Sequence, residues 1–142
     1  MRVGVIDWPL YDAEMVTKML LVDDGLFDVV LTRQALHHCK VEHEIIVAGD
    51  GAEALSQLKR TRFDLVILDI KMPRVDGFEV LKQLRATPAT SRIPVIVVSG
   101  SGLEEDQTRA STLGATAYVH KAMNFTDFQS DLKATLAHFG FC

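Results

Sequence analysis

Short runs of consecutive apolar, often β-branched residues alternate along this chain with longer stretches whose apolar positions recur every three or four residues. The first pattern suits strands and the second suits helices, so their alternation predicts a parallel sheet covered by helical crossovers. Five strand candidates occur: Met19 to Val22, Ile45 to Ala48, Leu65 to Leu68, Val95 to Val98 and the weaker Ala117 to Val119. The central ones show no polar alternation, as expected of strands buried on both faces. Helix ends are legible between them. Asp50, followed three positions on by Glu53, resembles a capping box ahead of Ala54, Leu55 and Leu58. Gly77 opens a segment carrying Phe78, Leu81 and Leu84 that Pro88 stops. Residues 103–113 are mostly polar, with Leu103, Ala110 and Leu113 as anchors and Gly114 as a stop, which predicts the least firmly held helix. Asn124 caps a last helix with the stripe Phe125, Phe128, Leu132, Leu136 and Phe139.

Two segments exceed what this pattern needs. Residues 26–38 carry Leu26, Phe27, Val29, Val30, Leu31, Ala35 and Leu36, more apolar surface than one core-facing stripe requires. Either the helix is deeply buried or it offers a second face to another chain. Residues 1–17 contain Val3, Val5, Ile6, Trp8, Leu10 and Tyr11 and form either a tail or an arm that packs on something, which divides the chain into 1–17 and 18–142.

Composition then removes several classes of function. At 142 residues the chain is expected to be one domain with no appended output module. A net charge of -4 without a basic stripe argues against direct contact with a nucleic-acid backbone. No apolar run approaches the roughly 20 residues of a membrane span, and no secretory signal is visible. Two cysteines make no disulfide framework, so the expected compartment is a reducing cytoplasm, with Cys142 an exposed thiol.

The candidate chemistry lies where apolar runs end. The first strand runs into Asp23-Asp24, the third into Asp69, the fourth into Ser99-Gly100, and the fifth is followed by Lys121. In open α/β sheets the ligand site lies beyond the carboxyl ends of the strands, at the point where strand order reverses. With the first and third strands as neighbours, three carboxylates converge there. Singly, an aspartate at a strand end is an ordinary turn or cap residue; jointly, three either raise a pKa or hold a cation. All-oxygen ligation suits Mg²⁺, and an aspartate beside it can attack a phosphoryl donor.

These residues resemble the receiver domains of two-component response regulators, over residues 18–139. The resemblance is carried by Asp23-Asp24, by Asp64-Leu-Val-Ile-Leu-Asp69-Ile-Lys-Met-Pro73 with Asp76-Gly77, by Pro94-Val-Ile-Val-Val-Ser99-Gly100 and by Tyr118-Val-His-Lys121. It implies a flavodoxin-like fold of five parallel strands in the order 2-1-3-4-5 with five helices. It implies that Asp69 accepts a phosphoryl group from a sensor histidine kinase or a histidine phosphotransfer protein, and that the chain is not an enzyme beyond self-phosphorylation and self-dephosphorylation. Asp24, Asp69 and the main-chain carbonyl of Lys71 would hold Mg²⁺ or Mn²⁺, with Asp23 acting mainly through water. Ser99 and Lys121 would bind phosphoryl oxygens, and Tyr118 would be the ring that moves with Ser99. Lys71 and Ser101 would flank the path of the hydrolytic water, and a covering lysine predicts slow self-dephosphorylation.

A narrower resemblance, through Ser99 to Asp106 and Asn124-Phe125, is to stand-alone receivers paired with phytochrome-type kinases, which often dimerise. Helix one, the N-terminal arm and the face of the fourth helix, fifth strand and fifth helix are the candidate dimer surfaces. One departure stands out: receivers usually follow the lysine with a cis-proline, whereas Ala122 follows Lys121 here. That keeps open a docking module that works without phosphorylation. A haloacid dehalogenase type of phosphatase would want a second acid two residues after the nucleophile, where this chain has Lys71. The cluster His37-His38-Cys39 with His43 reads as an ordinary helix end rather than a metal site, because adjacent helical residues point apart.

Overall fold

The computed structural model describes residues 16–39, 41–72, 74–121 and 124–142. In chain order the elements are β1 (Thr17–Val22), α1 (Leu26–His37), β2 (His43–Ala48), α2 (Gly51–Arg60), β3 (Leu65–Asp69), α3 (Gly77–Ala86), β4 (Val95–Ser99), α4 (Glu104–Thr112), β5 (Ala117–His120) and α5 (Phe125–His138). All strand pairings are parallel, and the sheet order is β2-β1-β3-β4-β5. This is the 2-1-3-4-5 order the resemblance implied. Order reverses between β1 and β3, which places the ends of those two strands side by side.

Alternation along each strand sorts side chains to two cores. Leu20, Val22, Val66, Leu68, Val95 and Val97 face Ala54, Leu58, Phe78, Leu81, Leu84 and Ala110 of α2, α3 and α4. Met19, Leu21, Leu65, Ile67, Ile96 and Val98 face α1 and α5 through Val29, Ala35, Leu36, Phe128, Leu132 and Leu136. The three central strands are buried on both sides, which explains their unbroken apolar character.

The helix starts are built locally. The Asp50 carboxylate accepts from the Glu53 amide at 2.8 Å while Glu53 reaches back to the Gly49 amide at 3.2 Å. Asp76 caps α3 through the Glu79 amide, and Asn124 caps α5 through the Thr126 and Asp127 amides. In α4 only Ala110 is buried, in keeping with the polarity of that segment.

Four expectations change. β1 begins at Thr17, paired with His43, so Thr17 belongs to the sheet rather than to an N-terminal arm; the rest of that arm, through Met15, lies outside the described residues. Helix α1 is not deeply buried all round: Val29, Leu31, Ala35 and Leu36 pack inward, while Leu26 is 81% and Phe27 60% exposed. The stripe on α5 is likewise shorter than read, since Phe125 and Phe139 are exposed, Phe125 meeting Phe27 edge-on with centroids 5.2 Å apart. Finally, Cys142 is not a free thiol. It is bonded to Cys39 across 103 positions, with Cα atoms 4.8 Å apart. Counting cysteines missed this because the pairing depends on where α1 and α5 end in space.

Candidate functional site: an acidic pocket at the carboxyl ends of the strands

The pocket forms because four strands end at the same level. Asp69 is the last residue of β3, Asp23 follows β1, Ser99 ends β4, and Lys121 follows β5 with its amide bonded to the Ser99 carbonyl at 2.7 Å. α3 starts hard against the acceptor strand. A Cβ on Gly77 would collide with the Asp69 carbonyl oxygen and the Ile70 Cα, so only glycine lets the helix approach this closely.

Asp23, Asp24 and Asp69 each offer a carboxylate oxygen within 4.8 Å of the others, and among the described residues no other such group of acids, histidines or cysteines occurs. Asp23 and Asp69 are buried and Asp24 is exposed. The Asp69 carboxylate accepts from the Lys71 amide at 3.0 Å. Its pKa is pushed up to about 6, first by burial and then by the charges of Asp23 and Asp24, against the lowering effects of Lys121 and the Lys71 amide. Lys121 is the cation of the pocket, with Nζ 2.9 Å from Asp23, 3.0 Å from Asp28 and 3.6 Å from Asp69. Burial works against its charge, but Asp69, Asp23 and Asp28 outweigh it and hold the ammonium above its ordinary range. One lysine thus faces Asp23 and Asp69 of the pocket and Asp28 from α1, with Asp24 beside them. A hard divalent cation fits that donor set, because its ligands would be carboxylate oxygens in an anionic cleft that one lysine does not neutralise.

Ser101 joins the remaining predicted residues. Its amide donates to Ser99 Oγ at 3.1 Å, its carbonyl accepts from the Tyr118 hydroxyl at 2.9 Å, and its own hydroxyl donates to Asp106. Asp106 also pairs with Lys71 at 3.3 Å. The hydrogen bond from Ser101, together with Lys71 and Arg109, keeps the Asp106 carboxyl below its usual range despite an opposing effect of burial. Lys71 and Ser101 are therefore held together on one side of the pocket by an acid on α4.

A family model for the response regulator receiver domain matches residues 19–133, most of the chain. The chain belongs to the receiver-domain family of response regulators. The response regulator Rcp1 of Synechocystis is 33% identical over 116 residues, covering 77% of this receiver and 79% of Rcp1. The gliding motility regulatory protein of Myxococcus xanthus is 36% identical over 104 residues, covering 73% of this receiver but 13% of that protein. The receiver spans about half of another relative, the probable transcriptional regulator ycf29 of Pyropia yezoensis, at 53% of its length. Among solved structures, the Mn²⁺-bound form of Rcp1 superposes with a TM-score of 0.81 at 29% identity, covering 87% of this receiver and 94% of that chain. The phosphorylated cyanobacterial phytochrome response regulator RcpA gives 0.79 at 33% identity, covering 84% and 91%.

Within this receiver two polar residues had escaped notice. Asp28 sits in the first turn of α1 and holds Lys121, and Asp106 sits in the first turn of α4 and holds Lys71 and Ser101. Acids in the first helical turn are common for electrostatic reasons of their own. The signal that distinguishes these two is that their helices start at the carboxyl end of the sheet, over the pocket. Of the histidine and cysteine cluster, Cys39 is in the disulfide, and His43 Nε2 donates to the Phe141 carbonyl at 2.8 Å. The Lys121-Ala122 junction lies outside the described residues.

Proposed function

We propose that this receiver accepts a phosphoryl group on Asp69 from a phosphohistidine of a sensor histidine kinase or a histidine phosphotransfer protein. The observation that carries this reading is the buried Asp69 carboxylate, set between two further acids and one lysine at the sheet's carboxyl end. A carboxylate oxygen of Asp69 attacks phosphorus, the P–N bond to histidine breaks, and the imidazole leaves with the electron pair and takes a proton. Asp23, Asp24, Asp69 and the Lys71 carbonyl are the residues that would hold Mg²⁺ or Mn²⁺. That ion, when bound, offsets the charge gathered on the phosphoryl oxygens.

The protein's own groups do the rest. Lys121 lies close enough to turn from Asp23 and Asp28 toward a phosphoryl oxygen, and the Ser99 hydroxyl donates to another. When Ser99 shifts toward the phosphoryl group, its Oγ parts from the Ser101 amide. The Tyr118 hydroxyl, bonded to the Ser101 carbonyl, then loses a fixed partner. This carries the change to α4 and β5, where α4 has little buried surface to resist it. Lys71, tied to Asp106 and through it to Ser101, shields the hydrolytic side of the pocket and makes the phosphorylated state long-lived.

The likeness to the cyanobacterial phytochrome response regulator RcpA supports a phytochrome-type kinase as the source of the phosphoryl group. The receiver works in the cytoplasm and is not an enzyme in its own right. Its output is partner binding, self-association or onward transfer, with the exposed Leu26, Phe27 and Phe125 as one surface for a second copy.

Incubation with a small phosphodonor and Mg²⁺, read by intact mass and by beryllofluoride-induced spectral change, tests this. Wild type gains one phosphoryl group with a lifetime of minutes or longer, and Asp69→Asn gains none. A wild-type chain that takes up neither ligand is a docking module instead.

A further inference from the structure

The end of the molecule opposite the phosphoryl pocket holds chemistry that the receiver reading does not use. After α5 the chain turns through Gly140, at φ +85°, and runs back against the start of β2. There the Phe141 amide donates to the Leu136 carbonyl at 2.7 Å and the Phe141 carbonyl accepts from His43. Phe141 and Cys142 pack against the core shared by α1 and α5, and the Cys39–Cys142 bond closes the arrangement. Cys39 also lines an open groove of about 680 Å³ together with Arg33, Leu36, His37, Glu42 and His43. The groove is the size of a small-ligand site, and its polar lining is one guanidinium and two imidazoles against one carboxylate.

We infer that Cys39–Cys142 is a thiol–disulfide exchange site, opened by a small anionic thiol that enters this groove, and that opening it releases the segment after α5. The incoming thiolate attacks the sulfur of Cys39, the cysteine of the pair that lines the groove. The Cys39–Cys142 bond breaks as the new S–S bond forms, and Cys142 leaves as a thiolate that takes up a proton. A second thiol then attacks the mixed disulfide, leaving Cys39 as a thiol and the small molecule as its own disulfide. Each closed clamp thus consumes two thiols and two electrons, and the small disulfide reverses the sequence. Arg33 favours a thiol that also bears carboxylates.

Glutathione is a suitable probe. The full chain is equilibrated with mixtures of reduced and oxidised glutathione, quenched in acid, alkylated and weighed. The expected result is reversible passage between closed disulfide and dithiol, with glutathione mapped to Cys39 in the Cys142→Ser variant. Arg33→Gln slows opening by glutathione roughly 2- to 5-fold and leaves opening by a neutral monothiol unchanged. Amide exchange at Phe141 accelerates at least about tenfold on opening. A bond that persists in fully reduced glutathione, or thiols that stay free in fully oxidised glutathione, overturns the exchange site. An Arg33→Gln effect that is equal for both thiols, or absent for both, overturns the anionic selectivity, and unchanged exchange at Phe141 overturns the release. None of these readouts depends on phosphorylation of Asp69.

Discussion

The two ends of α1 are held in opposite ways. At its start, Asp28 reaches Lys121 across the pocket in a contact that is wholly electrostatic, beside side chains left in solvent. At its finish, Leu36 is buried and Cys39, just beyond the last turn, is covalently tied to the segment after α5. The charged end gathers four acids around one cation and so carries unrelieved repulsion, while the other end combines apolar contact, a hydrogen bond and a covalent bond. Under the proposed phosphorylation of Asp69, the adjustable contacts of α1 lie where the new charge would arrive and its anchor lies at the other end.

The largest effect expected from breaking this contrast is at Lys121. Lys121→Met leaves Asp23, Asp28 and Asp69 with no cation among them, and loss of one member of a buried charge cluster costs about 3 kcal/mol or more. Equilibrium urea unfolding at pH 7 without divalent ions should show that loss. Millimolar Mg²⁺ should restore part of it, because the same carboxylates then acquire another positive partner. If the variant is as stable as wild type with and without Mg²⁺, the carboxylates are not repelling one another as the geometry indicates.

A smaller effect, of opposite sign, is expected at Asp69. The native carboxyl takes up its proton near pH 6, whereas in an unfolded chain it does so near its ordinary value of 3.8. Between those values the native state binds more protons, so stability falls as pH rises from about 4 to about 6 and stays reduced above that. Asp69→Asn removes the titrating group. Without divalent ions it should be on the order of 2 kcal/mol more stable than wild type at pH 7.5, and the difference should vanish below pH 4. Parallel stability curves across that range would show that Asp69 carries no such burden.

This contrast also explains what could be read from the sequence. Asp23, Asp24, Asp69, Ser99 and Lys121 were legible because each ends or follows an apolar run, and strand ends in a parallel sheet share one edge. Asp28 and Asp106 were not, because an acid in a first helical turn is ordinary until the neighbouring helix ends are placed in space. Leu26 and Phe27 were ambiguous for a related reason. Their helix is apolar on several sides, so periodicity does not say which apolar residues the sheet covers. The disulfide was least legible, since it depends on two chain segments 103 positions apart meeting beside β2.

The smallest predicted effect tests the anchored end. His43→Ala removes the donor to the Phe141 carbonyl, a single hydrogen bond at 2.8 Å. In the oxidised chain Cys142 holds the segment after α5 in place, so the bond is made throughout and its loss should cost about 1 kcal/mol. In the dithiol chain the segment is released and the bond is made only part of the time, so its removal should cost only a few tenths of a kcal/mol. Thermal unfolding of wild type and His43→Ala in both redox states measures the difference directly. Equal losses in the two states would mean that hydrogen bond and disulfide hold the segment independently, because coupled contacts give non-additive changes and independent ones do not.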